Sequence, residues 1–228
     1  MVEDDVLINE IFMSIQGEST WVGLPCAFVR LAGCPLRCHY CDTSYAFSGG
    51  ERTTIEEVLN RLSDMKTMLV EITGGEPLIQ PNVHLLAAAL LEEGYKVLLE
   101  TSGERDISVC DSRIHRIVDI KTPNSGAAGS FMESNFDSLG RDDEVKFVIV
   151  NREDFDWAIE IVQEQSLPNR VRAVHFSPVV DQVGNDSVEG CCALDPKELS
   201  NWIIESGEQV RLHLQIHKHI WSPETRGV

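Results

Sequence analysis

Short apolar runs alternate with stretches of helical period along almost all of the 228-residue chain. Residues 7–14, 27–31, 68–72, 96–101, 116–120, 145–150, 171–176 and 212–216 have the length and composition of strands. Several are nearly continuous in apolar residues, VKFVIV among them, as strands buried on both faces of a parallel sheet are. Helical patterns fall between them. Thr54 and Glu57 have capping-box spacing and precede a stripe of Ile55, Val58, Leu59 and Leu62. Pro81 is expected to open a second helix carrying Val83, Leu86, Leu90 and Leu91, which Gly94 stops. Phe155, Ile159 and Val162 line a third. Asp195 and Pro196 start a fourth, which runs through Leu199, Trp202 and Ile203 to Gly207.

This alternation predicts right-handed crossovers, a mainly parallel sheet and an α/β fold, closed as a barrel or left open as a partial one. Ligands of such folds gather at the carboxyl ends of the strands. No repeat or linker divides the chain, so residues 1–228 read as a single domain. Residues 122–143 break the alternation with Gly, Ser and Asn and no period, which predicts a long loop, either functional or an idle surface excursion.

Charge narrows the range of partners. Asp and Glu number 37 against 19 Lys and Arg, a formal net charge of −18. Phosphate backbones and anionic membrane surfaces are bound by clustered cations, so neither nucleic acid nor membrane is expected as a partner. A small anionic substrate needs only a local basic pocket and stays open. No apolar run approaches the ~18 residues of a membrane span. The first residues, MVEDDVLINE, are acidic where a signal peptide is basic and then apolar, so a cytoplasmic location is expected. Seven cysteines, an odd number, do not read as a disulfide framework.

Three of those cysteines carry the chemistry. Cys34, Cys38 and Cys41 have the spacing C-x3-C-x2-C in a loop after a strand. Thiolates hold iron–sulfur clusters, normally four to a [4Fe–4S] centre, so three leave one iron open to a substrate or cosubstrate. A structural zinc site with Cys26 or His39 as fourth ligand is the alternative on spacing alone. Cys26, Cys110, Cys191 and Cys192 read as ordinary buried or loop thiols, with metal binding by the adjacent Cys191 and Cys192 as a minor alternative.

The cysteine loop, with Tyr40 before its last cysteine, resembles the signature of the radical S-adenosylmethionine (SAM) superfamily. Thr73-Gly74-Gly75-Glu76-Pro77, also after a strand, resembles that superfamily's GGEP motif. FMSIQGE at 12–18, Cys41-Asp42-Thr43, Glu100-Thr101-Ser102-Gly103, DIKTPNSG at 119–126 and QIHK at 215–218 resemble the 7-carboxy-7-deazaguanine synthases, over residues 9–218 or so. The resemblance implies a partial (β/α) barrel with fewer helices than the full one. It implies conversion of 6-carboxy-5,6,7,8-tetrahydropterin to 7-carboxy-7-deazaguanine with loss of ammonia, on the way to queuosine and other deazapurines. The cofactors implied are a [4Fe–4S] cluster, SAM and Mg²⁺. The partners implied are an external low-potential electron donor such as a flavodoxin or ferredoxin, and a second copy of the chain in a homodimer.

Residue roles follow from the same resemblance. Cys34, Cys38 and Cys41 would hold three irons. Gly75, Tyr40, Cys41, Asp42, Asp119, Ile120 and Lys121 would contact SAM, with a second strand end at Ser177. Ile15, Gln16, Gly17, Arg30, Thr73, Glu100 and His217 would bind substrate, Arg30 by forked pairing with its carboxylate and Glu100 by accepting a guanidine-like N–H pair. Thr43 would ligate Mg²⁺ through its hydroxyl. Each has a plain structural counterpart: Arg30 in a surface ion pair, Glu100 as a solvated strand end, Thr43 as a turn residue. Two other functions compete, an activating enzyme for a glycyl-radical protein and a zinc-stabilised binding module without catalysis. Whether the tail beyond His217 enters the site is left open by the sequence.

Overall fold

In the computed structural model, which describes residues 4–221 and 225–228, one sheet organises the chain. β1 (Asp5–Ile15) pairs antiparallel with β2 (Pro25–Leu31) on one side and with β3 (Glu51–Thr54) on the other. From β2 onward every neighbour is parallel: β4 (Leu69–Gly74), β5 (Lys96–Thr101), β6 (His115–Asp119), β7 (Glu144–Ile149), β8 (Ala173–Pro178) and β9 (Arg211–Leu212). The order is β3-β1-β2-β4-β5-β6-β7-β8-β9, and the sheet does not close. The expected partial barrel is therefore the architecture found.

Strand parity sorts the side chains into two layers. Val70, Ile72, Val97, Leu99, Val118, Val145, Phe147 and Ile149 belong to the large core under the helices. Those helices are α1 (Ile55–Ser63), α2 (Val83–Glu92), α4 (Arg152–Glu164) and α6 (Pro196–Ser206). The alternate positions face the concave side. There Cys26, Phe28, Leu69, Leu98 and Ile117 form a second, smaller apolar cluster, with Phe12 and Trp21 against it. Glu71, Thr73, Glu100, Asp119 and Lys146 share that face and line the site described below.

The helix starts follow the sequence, with one exception. Thr54 and Glu57 form the reciprocal capping box of α1, and Asp195 accepts from Lys197 N ahead of Pro196 in α6. Gly207, at φ 68, ends α6 in the left-handed conformation a glycine adopts freely. Pro81 does not open α2. The helix begins at Val83, with Asn82 at its cap, and the Asn82 amide donates to Asp5 O at 2.7 Å.

Two strands depart from expectation. β3 has only polar residues, ERTT, and carries no apolar signal. The predicted strand 212–216 is cut to Arg211–Leu212: His213 N makes its last bond to β8, at Phe176 O, and the chain then turns toward the site. Residues 122–143 are largely loop, as expected, yet ordered: they hold a single 3-10 turn (Pro123–Ser125) and the short α3 (Asn135–Ser138). The fully buried Asn135 accepts from Ile107 N and donates to Gly103 O and Arg105 O, which satisfies backbone groups of the segment after β5 and pins the 122–143 loop to it. The short helices α5 (Leu167–Arg170) and α7 (His217–Ile220) complete the chain.

Candidate active site

At the carboxyl ends of the strands lies a pocket of about 390 Å³. The C-x3-C-x2-C loop forms one wall. Cys34, Cys38 and Cys41 are free thiols and all three line the pocket. Burial pushes each thiol up, Cys41 to about 12 with Asp42 adding to the effect, while Lys121 opposes the rise. A cationic neighbour and bound iron both favour thiolate, so this donor set fits a metal cluster. Gly75 packs directly on this loop: a Cβ there would collide with Gly33 O and with the Cys34 side chain. The GGEP turn and the cysteine loop meet so closely that only glycine fits.

The zinc alternative does not survive this geometry. Cys26 is buried in the apolar inner cluster and absent from the pocket wall. His39 Nε2 pairs with Glu189 at 3.1 Å. Among the described residues no three His, Cys, Asp or Glu side chains converge on a single-ion site, Cys191 and Cys192 included.

Other walls carry unsatisfied polar atoms. Tyr40 and Asp119 line the pocket, and Tyr40 Oη and Asp119 Oδ1 are buried without a hydrogen-bond partner among the described residues. Buried orphans of this kind call for a ligand or water, and they fit the polar groups of SAM. Asp119 Oδ2 meets Lys121 at 2.9 Å and Lys146 at 3.4 Å. Thr43 Oγ1 donates to Asp42 Oδ1 at 2.7 Å, which leaves the hydroxyl lone pairs free for a hard cation such as Mg²⁺. Asp42 Oδ2 accepts from Lys218 Nζ at 2.6 Å. Burial alone would raise Asp42, but Lys218 outweighs it and holds the carboxyl well below the usual range.

Ile15, Gln16, Gly17, Arg30, Thr73, Glu100 and His217 come together around the same pocket. Arg30 Nε donates to Glu10 at 2.7 Å, and its two Nη atoms have no partner among the described residues. The ion pair of the plain reading and an open fork thus coexist. Glu100 is no solvated strand end: it accepts from Thr73 Oγ1 at 3.1 Å and from Lys146 Nζ at 2.6 Å. His217 lies against Gly17, where any Cβ would fall on its imidazole, and Ile216 N bonds Gly17 O. Gln215 donates to Glu18 at 2.6 Å. The segment 215–218 therefore straps the first loop to the cysteine loop. Thr225, Arg226, Gly227 and Val228 also line the pocket, with the Arg226 guanidinium 4.0 Å from the Tyr45 ring centroid.

Two expected residues are elsewhere. Ile120 turns its side chain into the main core, and Ser177, also buried, is absent from the wall. Strand alternation sends Ile120 outward while Asp119 faces in; Val179 and Val180, just past β8, line the pocket where Ser177 does not.

Lys146 stands outside the residues expected at the site. It sits inside VKFVIV, almost fully buried, and bonds both Glu18 and Glu100, at 2.8 and 2.6 Å. Its one signal was a lone cation in an apolar run. Lys146 holds Glu18 well below the usual carboxylate range against the upward pull of burial. One strand step away, Glu144 accepts from Thr20 N, His115 Nε2 and His175 Nε2, at 2.9, 2.7 and 2.5 Å, which anchors the loop that carries Gln16 and Gly17.

Comparison with known proteins adds an independent line. Residues 29–189 match the Radical SAM superfamily model. A 7-carboxy-7-deazaguanine synthase of Koribacter versatilis is 45% identical over 97% of this chain and 99% of its own length. One from Chlorobaculum tepidum is 40% identical over 97% and 96%. The crystal structure of QueE from Escherichia coli superposes with a TM-score of 0.70, covering 92% of this chain and 93% of that one at 22% identity.

Proposed function

This chain belongs to the radical SAM superfamily and, within it, to the 7-carboxy-7-deazaguanine synthases, and from that premise we propose how its own residues serve the reaction. The enzyme converts 6-carboxy-5,6,7,8-tetrahydropterin to 7-carboxy-7-deazaguanine with loss of ammonia, in the route to queuosine. It uses a [4Fe–4S] cluster, SAM and Mg²⁺. When bound, the cluster supplies the electron that cleaves SAM and yields the radical that starts the rearrangement.

The observation that carries the assignment of roles is the convergence of the cysteine loop, the GGEP turn and Gln16, Glu100 and His217 on one pocket. Cys34, Cys38 and Cys41 hold the cluster. Gly75 admits the methionyl part of SAM. Tyr40, Asp42, Asp119 and Lys121 receive its remaining polar groups. Thr43 gives its oxygen to Mg²⁺. The open Nη pair of Arg30 takes the substrate carboxylate, a bidentate geometry that suits guanidinium. Glu100, fixed by Thr73 and Lys146, accepts the N–H groups of the pterin's guanidine-like edge, and the backbone at Ile15–Gly17 and the His217 ring border the ring plane. Holding both reactants in such a frame supplies much of the rate by orientation. A flavodoxin or ferredoxin as electron donor, a homodimer and a cytoplasmic location complete the reading; no described helix is long and apolar enough to cross a membrane.

The test is an anaerobic assay with reductant, SAM, Mg²⁺ and 6-carboxytetrahydropterin. Formation of the deazaguanine with 5′-deoxyadenosine supports the roles. Arg30→Lys keeps the charge and loses the fork, so it should weaken binding of the carboxypterin and leave SAM binding unchanged. Equal affinity of both proteins for the carboxypterin would remove Arg30 from the carboxylate.

A further inference from the structure

Glu71 is a buried carboxyl group with no part in the roles above. It reaches the concave face from β4, where its register neighbours are Phe28 on β2 and Leu98 on β5. Both belong to the apolar inner cluster, so its flanks offer neither charge nor hydrogen bond. Glu18, Glu71 and Glu100 all line the pocket, and the single ammonium of Lys146 answers them. Lys146 bonds Glu18 and Glu100 and makes no bond to Glu71. Gln16 donates its side-chain amide to Glu71 Oε2, while Oε1 accepts no hydrogen bond from a described residue. An anion placed there would be almost unpaired, desolvated and beside two other anions. A neutral carboxyl accepts the Gln16 N–H on one oxygen and keeps an O–H to give to whatever fills the pocket.

We propose that Glu71 works as a neutral acid that donates a hydrogen bond to the ring carbonyl of a 2-amino-4-oxo heterocycle, and so selects against ligands with an amino group at that position. The proposal rests on the carboxypterin assignment and deepens it by naming the group that reads one edge of the ring. Every titratable group around Glu71 agrees with a retained proton or is already committed. Burial first, then Glu100 on β5 and Glu18 after β1, push Glu71 well above the ordinary range, and the Gln16 hydrogen bond and Lys146 on β7 oppose them only in part. Cys26 on β2 is pushed up by burial and by Glu71, so it remains a neutral thiol. A 4-amino ligand turns an N–H toward the Glu71 O–H, and a buried donor left facing a donor is penalised heavily.

The experiment uses cluster-loaded, SAM-bound enzyme under anaerobic conditions at pH 7. Wild type, Glu71→Gln and Glu71→Leu are titrated with 6-carboxypterin and with 2,4-diaminopteridine-6-carboxylic acid, following ligand fluorescence. Glutamine keeps a donor and an acceptor but cannot ionise. Wild type and Glu71→Gln should bind 6-carboxypterin within about 3-fold of each other and prefer it by about 10-fold or more, the scale of one well-placed buried hydrogen bond. Glu71→Leu should lose most of that preference. Glu71→Gln binding 6-carboxypterin as poorly as Glu71→Leu would mean that Glu71 acts ionised, and would overturn the proposal. Undiminished preference in Glu71→Leu would overturn it as well. Should Glu71→Leu fail to fold, seen as lost iron and lost circular dichroism, the Glu71→Gln comparison decides alone. Wild type that binds neither pteridine would overturn the carboxypterin assignment, and this proposal with it.

Discussion

Lys146 bonds two carboxylates and leaves Glu71 with none, and that inequality has a consequence for stability. Unfolded, Glu71 ionises above its ordinary value of 4.5; folded, it keeps its proton to higher pH. The folded chain then binds a proton the unfolded chain lacks, so this group's contribution falls as pH rises above about 4.5, by ~1.4 kcal/mol per pH unit until the folded group ionises. Glu71→Gln removes the slope. It should melt at a higher temperature than wild type at pH 7.5, with the gap closing toward pH 5, as thermal denaturation followed by circular dichroism can read. A gap independent of pH would show Glu71 ionised in the folded protein. At the cysteines, Cys34→Ala, Cys38→Ala or Cys41→Ala should each abolish the [4Fe–4S] absorbance and all turnover, while Cys191→Ala, outside the pocket wall, should leave both intact. Wild-type iron content in any of the first three would remove that ligand. For Thr43, alanine should lose most of the Mg²⁺ stimulation and serine should keep part of it, since only serine retains the oxygen; the rate is measured against Mg²⁺ concentration in all three proteins. An unaltered Mg²⁺ curve in Thr43→Ala would end the ligand role.

Among the elements, those with a strong local signal were legible and those held by distant partners were not. α1 and α6 announced themselves through caps and stripes that sit within a few residues of one another, and α4 through its stripe alone. β5 was readable to the residue because its apolar run has clear polar ends. β3 was invisible, since its four polar residues are a strand only by virtue of β1 beside them. The cysteine loop, the GGEP turn and most of the pocket residues were legible as motifs. Lys146 and Glu71 were not, because a charged residue inside a strand gives no hint of which other strands bring it partners. Asn135 is a similar case within the 122–143 loop. Its amide makes three bonds to backbone groups while fully buried. Asn135→Ala leaves those groups unpaired and should destabilise the protein by roughly 3 kcal/mol or more. Thr54→Ala, at the exposed cap of α1, should cost only about 1 kcal/mol. Urea denaturation of the two variants side by side checks the ordering; equal losses would mean that Asn135 does not organise residues 103–107.

The molecule as a whole carries a charge of −18 and still gathers acids in and beside its site. Glu18, Asp42 and Glu144 are each held below their ordinary range by partners that outweigh burial. Groups with depressed values stabilise the fold above the usual carboxylate range, near pH 4, and lose that contribution as pH falls through their folded values. Glu71 acts in the opposite sense above pH 4.5, but burial holds His213 down to about 4 and keeps His217 below its ordinary value, so both oppose Glu71 below about pH 6.5. The melting temperature should therefore peak near pH 6.5 and decline above it. A melting temperature that climbs steadily from pH 5 to pH 8 would contradict the balance. The open sheet leaves closure of the site to the strap at 215–218, which reaches Gly17 and Glu18 at one end and Asp42 at the other. Gly17 and His217 are two hundred positions apart in the chain, yet the room one lacks is the room the other fills. In a genetic screen the two positions should therefore behave as one locus. A library randomised at 17 should return glycine almost alone, and a smaller side chain at 217 should restore the melting temperature of Gly17→Ala without restoring substrate binding, because it gives back the space and removes the ring.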